Sequence, residues 1–353
     1  MVQTALPEPE DRADPFCPYF GTCGGCTLQH FGPASYMALK QNLVESALRY
    51  SHVAAEVAPL IEAHGDGRRR ATLHARGKAV GYMQARSHDL LDIAECPILV
   101  PALQKRAVTL TRPIAATVGD CDVALTATDT GLDVAVKTER KFNSERLTIL
   151  AQRSDLARLS INGNVVIESR APTVKMGKAT VEIPIGSFLQ ATEMAEQTLA
   201  RLVREGVGNA KSVADLFCGM GPFTLRLAET AKVYAADADK PALAALQKAV
   251  KHTQGLKPIT TAVRDLFREP LVPVELKPYD AVVFDPPRAG AEAQARELAK
   301  SAVKTVVAVS CDPRTFARDA AILVAGGYRL ESVTPVDQFA WSMHVEMVGV
   351  FRR

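Results

Sequence analysis

The sequence predicts an α/β fold in two unlike parts, on three observations. From Val213 onward, short runs rich in Val and Ala alternate with amphipathic stretches, the pattern of a doubly wound parallel sheet. Four of those runs end on a Gly turn or an acid, at Cys218-Gly219-Met220-Gly221, Asp237, Asp265 and Asp285. Between residues 50 and 183 the runs are instead short and alternating and are broken by Gly turns, which reads as a smaller α+β unit. The expected division is a disordered tail over 1–15, an α+β unit with a cysteine loop over 16–184, and a Rossmann-like domain over 185–353.

Composition narrows the class. A chain of 353 residues with 47% apolar content is long enough for two or three domains with real cores. No apolar run is long enough to span a bilayer, and no basic stretch followed by an apolar one opens the chain. The expectation is a cytoplasmic protein with no membrane partner. The net charge of +3 permits a nucleic-acid partner without requiring one. Seven cysteines, an odd number, argue against a disulfide framework in that compartment.

The N-terminal half is read in order. Residues 1–15 hold three prolines and several acids with few large apolar groups, hence the expected tail. Cys17, Cys23 and Cys26 follow at C-x5-C-x2-C spacing, with Gly24 and Gly25 letting the backbone wrap a compact centre. Cys96, before Pro97, is the best fourth ligand. Four thiolates suit zinc or a [4Fe–4S] cluster, and tight local ligands with one distant Cys favour the cluster. Unligated thiols are the bland alternative.

Tyr36–Leu48 has helical periodicity. The runs 71–75 and 79–83 read as antiparallel strands, and Arg68, Arg69, Arg70, Arg76, Lys78 and Arg86 make this segment basic enough to hold phosphates. A solvated strand face explains the same charges. Pro101–Ala116 is predicted as a helix, 123–126 and 132–136 as a hairpin, Phe142–Ser160 as one helix, and 165–167 and 179–183 as strands.

The C-terminal half carries the ligand signals. Val213–Leu216 runs into Gly219-x-Gly221, where a dinucleotide fold would want a third glycine and Thr224 stands instead. Asp215 before the glycines is unlike a phosphate cradle and suits a ligand with an ammonium group. Asp237 is placed for ribose hydroxyls and Asp265 for an adenine amino group. Taken together, these acids point to S-adenosylmethionine; singly, each reads as a helix cap or a solvated loop residue. Asp285-Pro286-Pro287 occurs in enzymes that methylate exocyclic amines, but those usually place an aromatic residue where this chain has Arg288.

Val306–Ser310 is a buried strand, and Asp312-Pro313 turns it into a helix. Cys311 thus stands at the carboxyl end of a sheet strand near a helix N-terminus, a position expected to favour thiolate and a nucleophilic role. The alternative is a small buried hydrophobe.

With SFLQ at 187–190, DLFCGMG at 215–221, FDPPR at 284–288, SCDP at 310–313, HVE at 344–346 and the four cysteines, the chain resembles the RNA uracil-5-methyltransferase family from Cys17 to its end. The resemblance implies that Cys17, Cys23, Cys26 and Cys96 hold a [4Fe–4S] cluster. It implies that Gln190, Phe217, Asp237, Asp265 and Asp285 line the S-adenosylmethionine and uracil site. Cys311 would be the nucleophile and Glu346 the general base. Thr192 and Pro222 stand where family members often carry Asn, Asp237 where they usually carry Glu, and Asp312 where Asn is usual. The tRNA branch generally lacks the cysteines, and the larger ribosomal branch has a β-barrel before them. The chain is therefore most similar to the shorter 23S ribosomal RNA enzymes. It is expected to act as a monomer on RNA and not on DNA. Phe188 is a candidate to stack on a base displaced from its helix. Competing readings are a tRNA enzyme, an amine methyltransferase and a non-catalytic cluster protein.

Overall fold

A computed structural model describes residues 8–353; the part of the expected tail over 1–7 lies outside them. Residues 8–15 form no helix or strand, yet they are pinned. Asp11 accepts from the backbone N–H groups of Ala34 (3.1 Å) and Ser35 (2.8 Å), capping α1 (Pro33–Tyr50) from outside the helix. Tyr36, Lys40, Val44 and Leu48 recur every fourth residue and form the buried face of α1. That face packs on the C-terminal sheet, and the two-residue β1 (Ile61–Glu62) joins the edge of the same sheet. The first part of the chain after the cysteine loop therefore belongs with the far end of the sequence, which a continuous 16–184 unit did not anticipate.

The central sheet is built from β2 (Arg70–Arg76), β3 (Ala79–Met83), β4 (Leu90–Asp92), β5 (Cys121–Thr128), β6 (Gly131–Lys137), β7 (Leu156–Ile161) and β8 (Asn164–Glu168). Its order is β4-β3-β2-β5-β6-β7-β8, antiparallel except for β6–β7. Helices α2 (Arg106–Val118) and α3 (Ser144–Arg153) cover it with one shared apolar core. The single helix expected over 142–160 is α3 followed by β7. Asp155 breaks the helix with φ of 49°, and every residue of β7 is buried. A short apolar run fits a buried strand as well as a helix, and tertiary burial on both faces decides. The hairpin β9 (Thr173–Met176) and β10 (Ala179–Glu182) leaves this sheet and packs in a core with the C-terminal domain.

The C-terminal domain comprises α4 (Glu193–Val207), β11 (Ser212–Leu216), α5 (Thr224–Leu227), β12 (Lys232–Asp237), α6 (Lys240–His252), β13 (Ile259–Val263), α7 (Pro273–Leu276), β14 (Ala281–Phe284), α8 (Glu292–Ala299), β15 (Thr305–Ser310), α9 (Pro313–Ala325), β16 (Arg329–Asp337) and β17 (Glu346–Arg352). With β1 added, its seven strands make an eight-stranded sheet in the order β1-β16-β17-β15-β14-β11-β12-β13. The five from β15 to β13 are parallel, while β17 lies antiparallel to both of its neighbours. Strands β14 and β15 are buried throughout, as a sheet covered on both faces requires. Thr192 acts locally, through its hydroxyl. That group caps α4 by accepting from Ala195 N–H (3.0 Å) and donates to the Ala63 carbonyl (2.6 Å).

A buried ion pair locks α1 to this sheet. Lys40 Nζ lies 2.9 Å from Asp337 Oδ1 and also donates to the carbonyls of Phe339 and His344, with both charged side chains fully buried. Tyr36 and His64 bond the other carboxylate oxygen of Asp337. Burial works against the charge, yet His64, Lys40 and Tyr36 together hold Asp337 at about 2. Lys40→Met would strand a buried carboxylate. It should cost roughly 3–5 kcal/mol in a urea titration; a loss below about 1 kcal/mol would show that solvent reaches Asp337.

Candidate active site

The parallel strands place their carboxyl ends along one crevice, where open α/β sheets bind ligands. Past β11, Phe217, Gly219 and Gly221 all take left-handed backbone, with φ of 60°, 52° and 86°. At Gly221 a Cβ would meet a Leu246 methyl at 2.6 Å, so the turn admits only glycine there. Asp215 does not reach the crevice. It is fully buried, and Thr224 Oγ1 donates to it at 2.5 Å. Thr224 thus occupies the place of the third glycine in order to tie strand to helix, and the ammonium-binding role expected of Asp215 is excluded by position. Burial raises Asp215 to about 7.

The other acids do face the crevice. Asp237 accepts from Gly219 N–H and Asp239 N–H, both at 2.8 Å, so the main chain orients its carboxylate. Asp265 accepts from Phe267 N–H (3.1 Å), and the Phe267 ring lies 5.3 Å from that of Phe217, forming an apolar wall. Gln190, Phe217, Asp237, Asp265, Asp285, Cys311 and Glu346 all line one cavity of about 710 Å³. Phe188 stands at its mouth, 68% exposed.

The sheet register explains why residues so distant in sequence meet. Ser310, the last residue of β15, lies opposite Met347 of β17, so Cys311 and Glu346 follow at the same end of adjacent strands. Glu346 is buried, and Gln338 Nε2 donates to its Oε1 at 2.9 Å. The same amide donates to Gln190 Oε1 at 2.6 Å, and Gln190 Nε2 reaches Asp285 Oδ2 at 3.4 Å. Burial pushes both carboxyls above the ordinary range, and for Asp285 the neighbouring Glu346 charge adds to it. Sequence reading missed Gln338; its only signal was a polar Asp337-Gln338 pair at the end of a strand of mixed polar and apolar residues.

The expected low-pKa thiol is not found at this strand end. Burial, then the Glu346 and Asp285 charges, push Cys311 up to about 11, and Arg288 offsets this only in part. The helix end near Cys311 is already served by Asp312, which accepts from Arg314 N–H at 2.9 Å. Arg288 itself lies 3.4 Å from His344 at the cavity mouth.

Two residues of the basic segment are paired within the fold, while Lys78 and Arg86 stay exposed. Arg69 is buried, pairs with Glu196 (2.6 Å) and donates to the Gln190 carbonyl (3.0 Å). Arg76 pairs with Asp122 (2.9 Å). The expected phosphate stripe is therefore not a free surface at these two positions, because the fold turns them towards acids of neighbouring elements.

Cys17, Cys23, Cys26 and Cys96 line a second cavity, of about 180 Å³, beside Tyr82 and Arg68. Among the described residues, no three or more His, Cys, Asp or Glu side chains are placed to hold a metal ion. Burial raises the thiols of Cys23 and Cys26, and Cys96 to about 11. The loop touches the far domain: Thr27 and Leu28 N–H both donate to the Trp341 carbonyl, at 2.8 and 3.1 Å.

A parallel sheet with a Gly turn after its first strand and acids at the ends of the next three defines a site for a nucleoside-containing cofactor. Comparison with known proteins narrows the class. Residues 133–353 match the family model described as tRNA (uracil-5-)-methyltransferase. The match spans more than half of the chain, and the chain belongs to that family, the RNA methyltransferases of the uracil-5 type. An uncharacterised RNA methyltransferase of Brucella suis is 49% identical, over 97% of this chain and 85% of its own length. The 23S rRNA (uracil(1939)-C(5))-methyltransferase of Pseudomonas syringae is 31% identical, over 96% of this chain and 80% of its own length. In fold, the chain is similar to Pyrococcus abyssi tRNA (uracil-54, C5)-methyltransferase, solved with S-adenosyl-L-homocysteine. That likeness has a TM-score of 0.75 at 21% identity and covers 93% of this chain and 85% of the other.

Proposed function

We propose that this protein methylates carbon 5 of a uridine in 23S ribosomal RNA, with Cys311 as nucleophile and Glu346 as base. The observation that carries the reading is the shared cavity: thiol, carboxylate and cofactor acids line one space. Bound S-adenosylmethionine supplies an electrophilic methyl group. Gln190, Phe217, Asp237, Asp265 and Asp285 line the space for that cofactor and the uracil ring.

Cys311 Sγ, as thiolate, adds to carbon 6 of the ring. The displaced electron pair makes carbon 5 nucleophilic, so it can take the methyl group, and the broken S–CH3 bond's electron pair would stay on the cofactor's sulfur as a neutral thioether. Glu346 then removes the hydrogen on carbon 5; the double bond re-forms and the sulfur leaves as thiolate. Charge at Cys311 must be favoured once substrate is seated, because the protein's own burial and carboxylates oppose it. Arg288 at the mouth favours it. Phe188 offers an exposed ring on which a displaced base can stack.

The ribosomal assignment rests on the Pseudomonas relative and on the cysteine loop. A tRNA substrate is the second reading, favoured by the family description. Methylating 23S RNA and bulk tRNA from cells lacking the gene decides between them. Label in 5-methyluridine of 23S RNA alone is expected; label in tRNA alone overturns the ribosomal reading. An amine methyltransferase would keep its activity without Cys311.

For the cysteine cavity we adopt the [4Fe–4S] reading. A single zinc ion needs four thiolates drawn tightly around one point, whereas a cluster spreads them around a larger body. The four thiols line one cavity, and that shared lining is the observation that supports the reading. The cluster would position RNA or brace the Trp341 loop. Anaerobic purification should return about four irons and four sulfides per chain; zinc without sulfide would refute this. No helix among the described residues is long and apolar enough to cross a membrane. The reading further takes the protein as a cytoplasmic monomer with no DNA partner.

A further inference from the structure

We infer that Gln338, which lies outside the cavity, sets the hydrogen-bond polarity inside it and thereby selects uracil over cytosine. The inference rests on the uridine reading above and begins from an unambiguous donor. Backbone N–H of Ala191 lies 2.6 Å from Gln338 Oε1, and a main-chain N–H can only donate. The Gln338 amide therefore has one orientation, with its oxygen towards Ala191 and its nitrogen towards the site.

That nitrogen carries two hydrogens, and both are committed. One goes to Gln190 Oε1 at 2.6 Å and the other to Glu346 Oε1 at 2.9 Å. Gln190 is fixed in turn: its oxygen is spent, one Nε2 hydrogen goes to Asp285 Oδ2 at 3.4 Å, and the second remains to donate into the cavity that both residues line. Glu346 is fixed as well. Its Oε1 is occupied, and no protein group among the described residues bonds Oε2, which is left to collect a proton. Gln338 is 1% exposed, so no water substitutes for it.

Uracil offers a carbonyl at carbon 4 and an N–H at position 3; cytosine offers an amino group and a bare nitrogen there. A fixed N–H from Gln190 beside the Asp285 carboxyl presents a donor and an acceptor, the complement of uracil's edge. The cytosine amino group would meet a donor. With the amide free to rotate, that distinction would be lost. Gln338 touches neither ring nor cofactor, so it is a positioning residue acting through Gln190 and Glu346.

The test uses the full-length protein, RNA substrates carrying 5-fluorouridine or 5-fluorocytidine at the target, and trapped covalent complex as readout, because fluorine cannot be removed as a proton. Gln338→Met keeps the length and removes both donors. Gln338→Glu keeps the bond from Ala191, replaces the amide donors by a carboxyl and sets a second acid beside Glu346. Both should lower the preference for the uridine adduct about tenfold or more, since unpaired polar groups drive such discrimination. Both should also move the acid limb of methyl-product release to higher pH, since Gln338 donation favours the charged form of Glu346. RNA affinity and melting temperature check folding. Wild-type preference and an unshifted limb in a folded variant would overturn the inference alone. Wild-type protein that forms no adduct with any 5-fluorouridine RNA would overturn the uridine reading and this inference with it.

Discussion

Cys311→Ala should stop methyl transfer to RNA, by on the order of 10⁴-fold or more in turnover, while leaving cofactor binding intact. The two effects separate because the cofactor acids are held independently of the thiol. Asp237 and Asp265 lie at the ends of other strands and keep their main-chain partners, Gly219, Asp239 and Phe267, whatever stands at 311. The thiol also carries little packing, being half-buried at a strand end, so the variant should fold. Single-turnover transfer from labelled cofactor, with equilibrium binding of S-adenosylhomocysteine as control, checks both halves. Residual transfer within tenfold of wild type would instead support an amine acceptor at Asp285-Pro286-Pro287.

Glu346→Gln should produce a different failure. Addition of the thiolate and methylation of carbon 5 need no base, but release of the product does. A covalent protein–RNA complex should accumulate, stable to denaturing gel electrophoresis, while turnover falls roughly 10²- to 10⁴-fold. The pH behaviour follows from the charges. Burial raises the Glu346 carboxyl above its ordinary range, so the wild-type rate should rise with pH as this group loses its proton. In the variant that limb disappears. Cys311 loses one neighbouring negative charge, its pKa falls from about 11, and adduct formation should begin at lower pH than in wild type. A Glu346→Gln protein that turns over normally, or traps no RNA, would remove Glu346 from the proposed mechanism.

The two variants also show how far the site was legible in the sequence. Cys311 was visible because its neighbours announce a strand, a turn and a capped helix in succession, and those signals are local. Its protonation was not. A helix N-terminus argued for thiolate, whereas burial and two carboxylates from other strands argue against it more strongly. Asp215 failed in the same way. Its position before the glycines suggested a ligand contact, but only the packed structure shows that the side chain turns to Thr224. Arg69 read as a phosphate contact because charge is visible in a sequence and its partner Glu196 is not.

By itself, the sequence determined the order of strands and helices in the C-terminal domain, the Gly turn, the acids at the strand ends and the close spacing of Cys17, Cys23 and Cys26. Each is a property of residues close together in the chain, set by backbone geometry and hydrophobic period. Tertiary structure decided the rest: that α1 joins the distant sheet through Lys40 and Asp337, that 156–161 is a strand, and that Gln338 bridges Gln190 and Glu346. Those outcomes depend on which buried polar group finds a partner and which apolar run is covered on both faces. Burial is a property of the assembled chain, and no short stretch of sequence contains it.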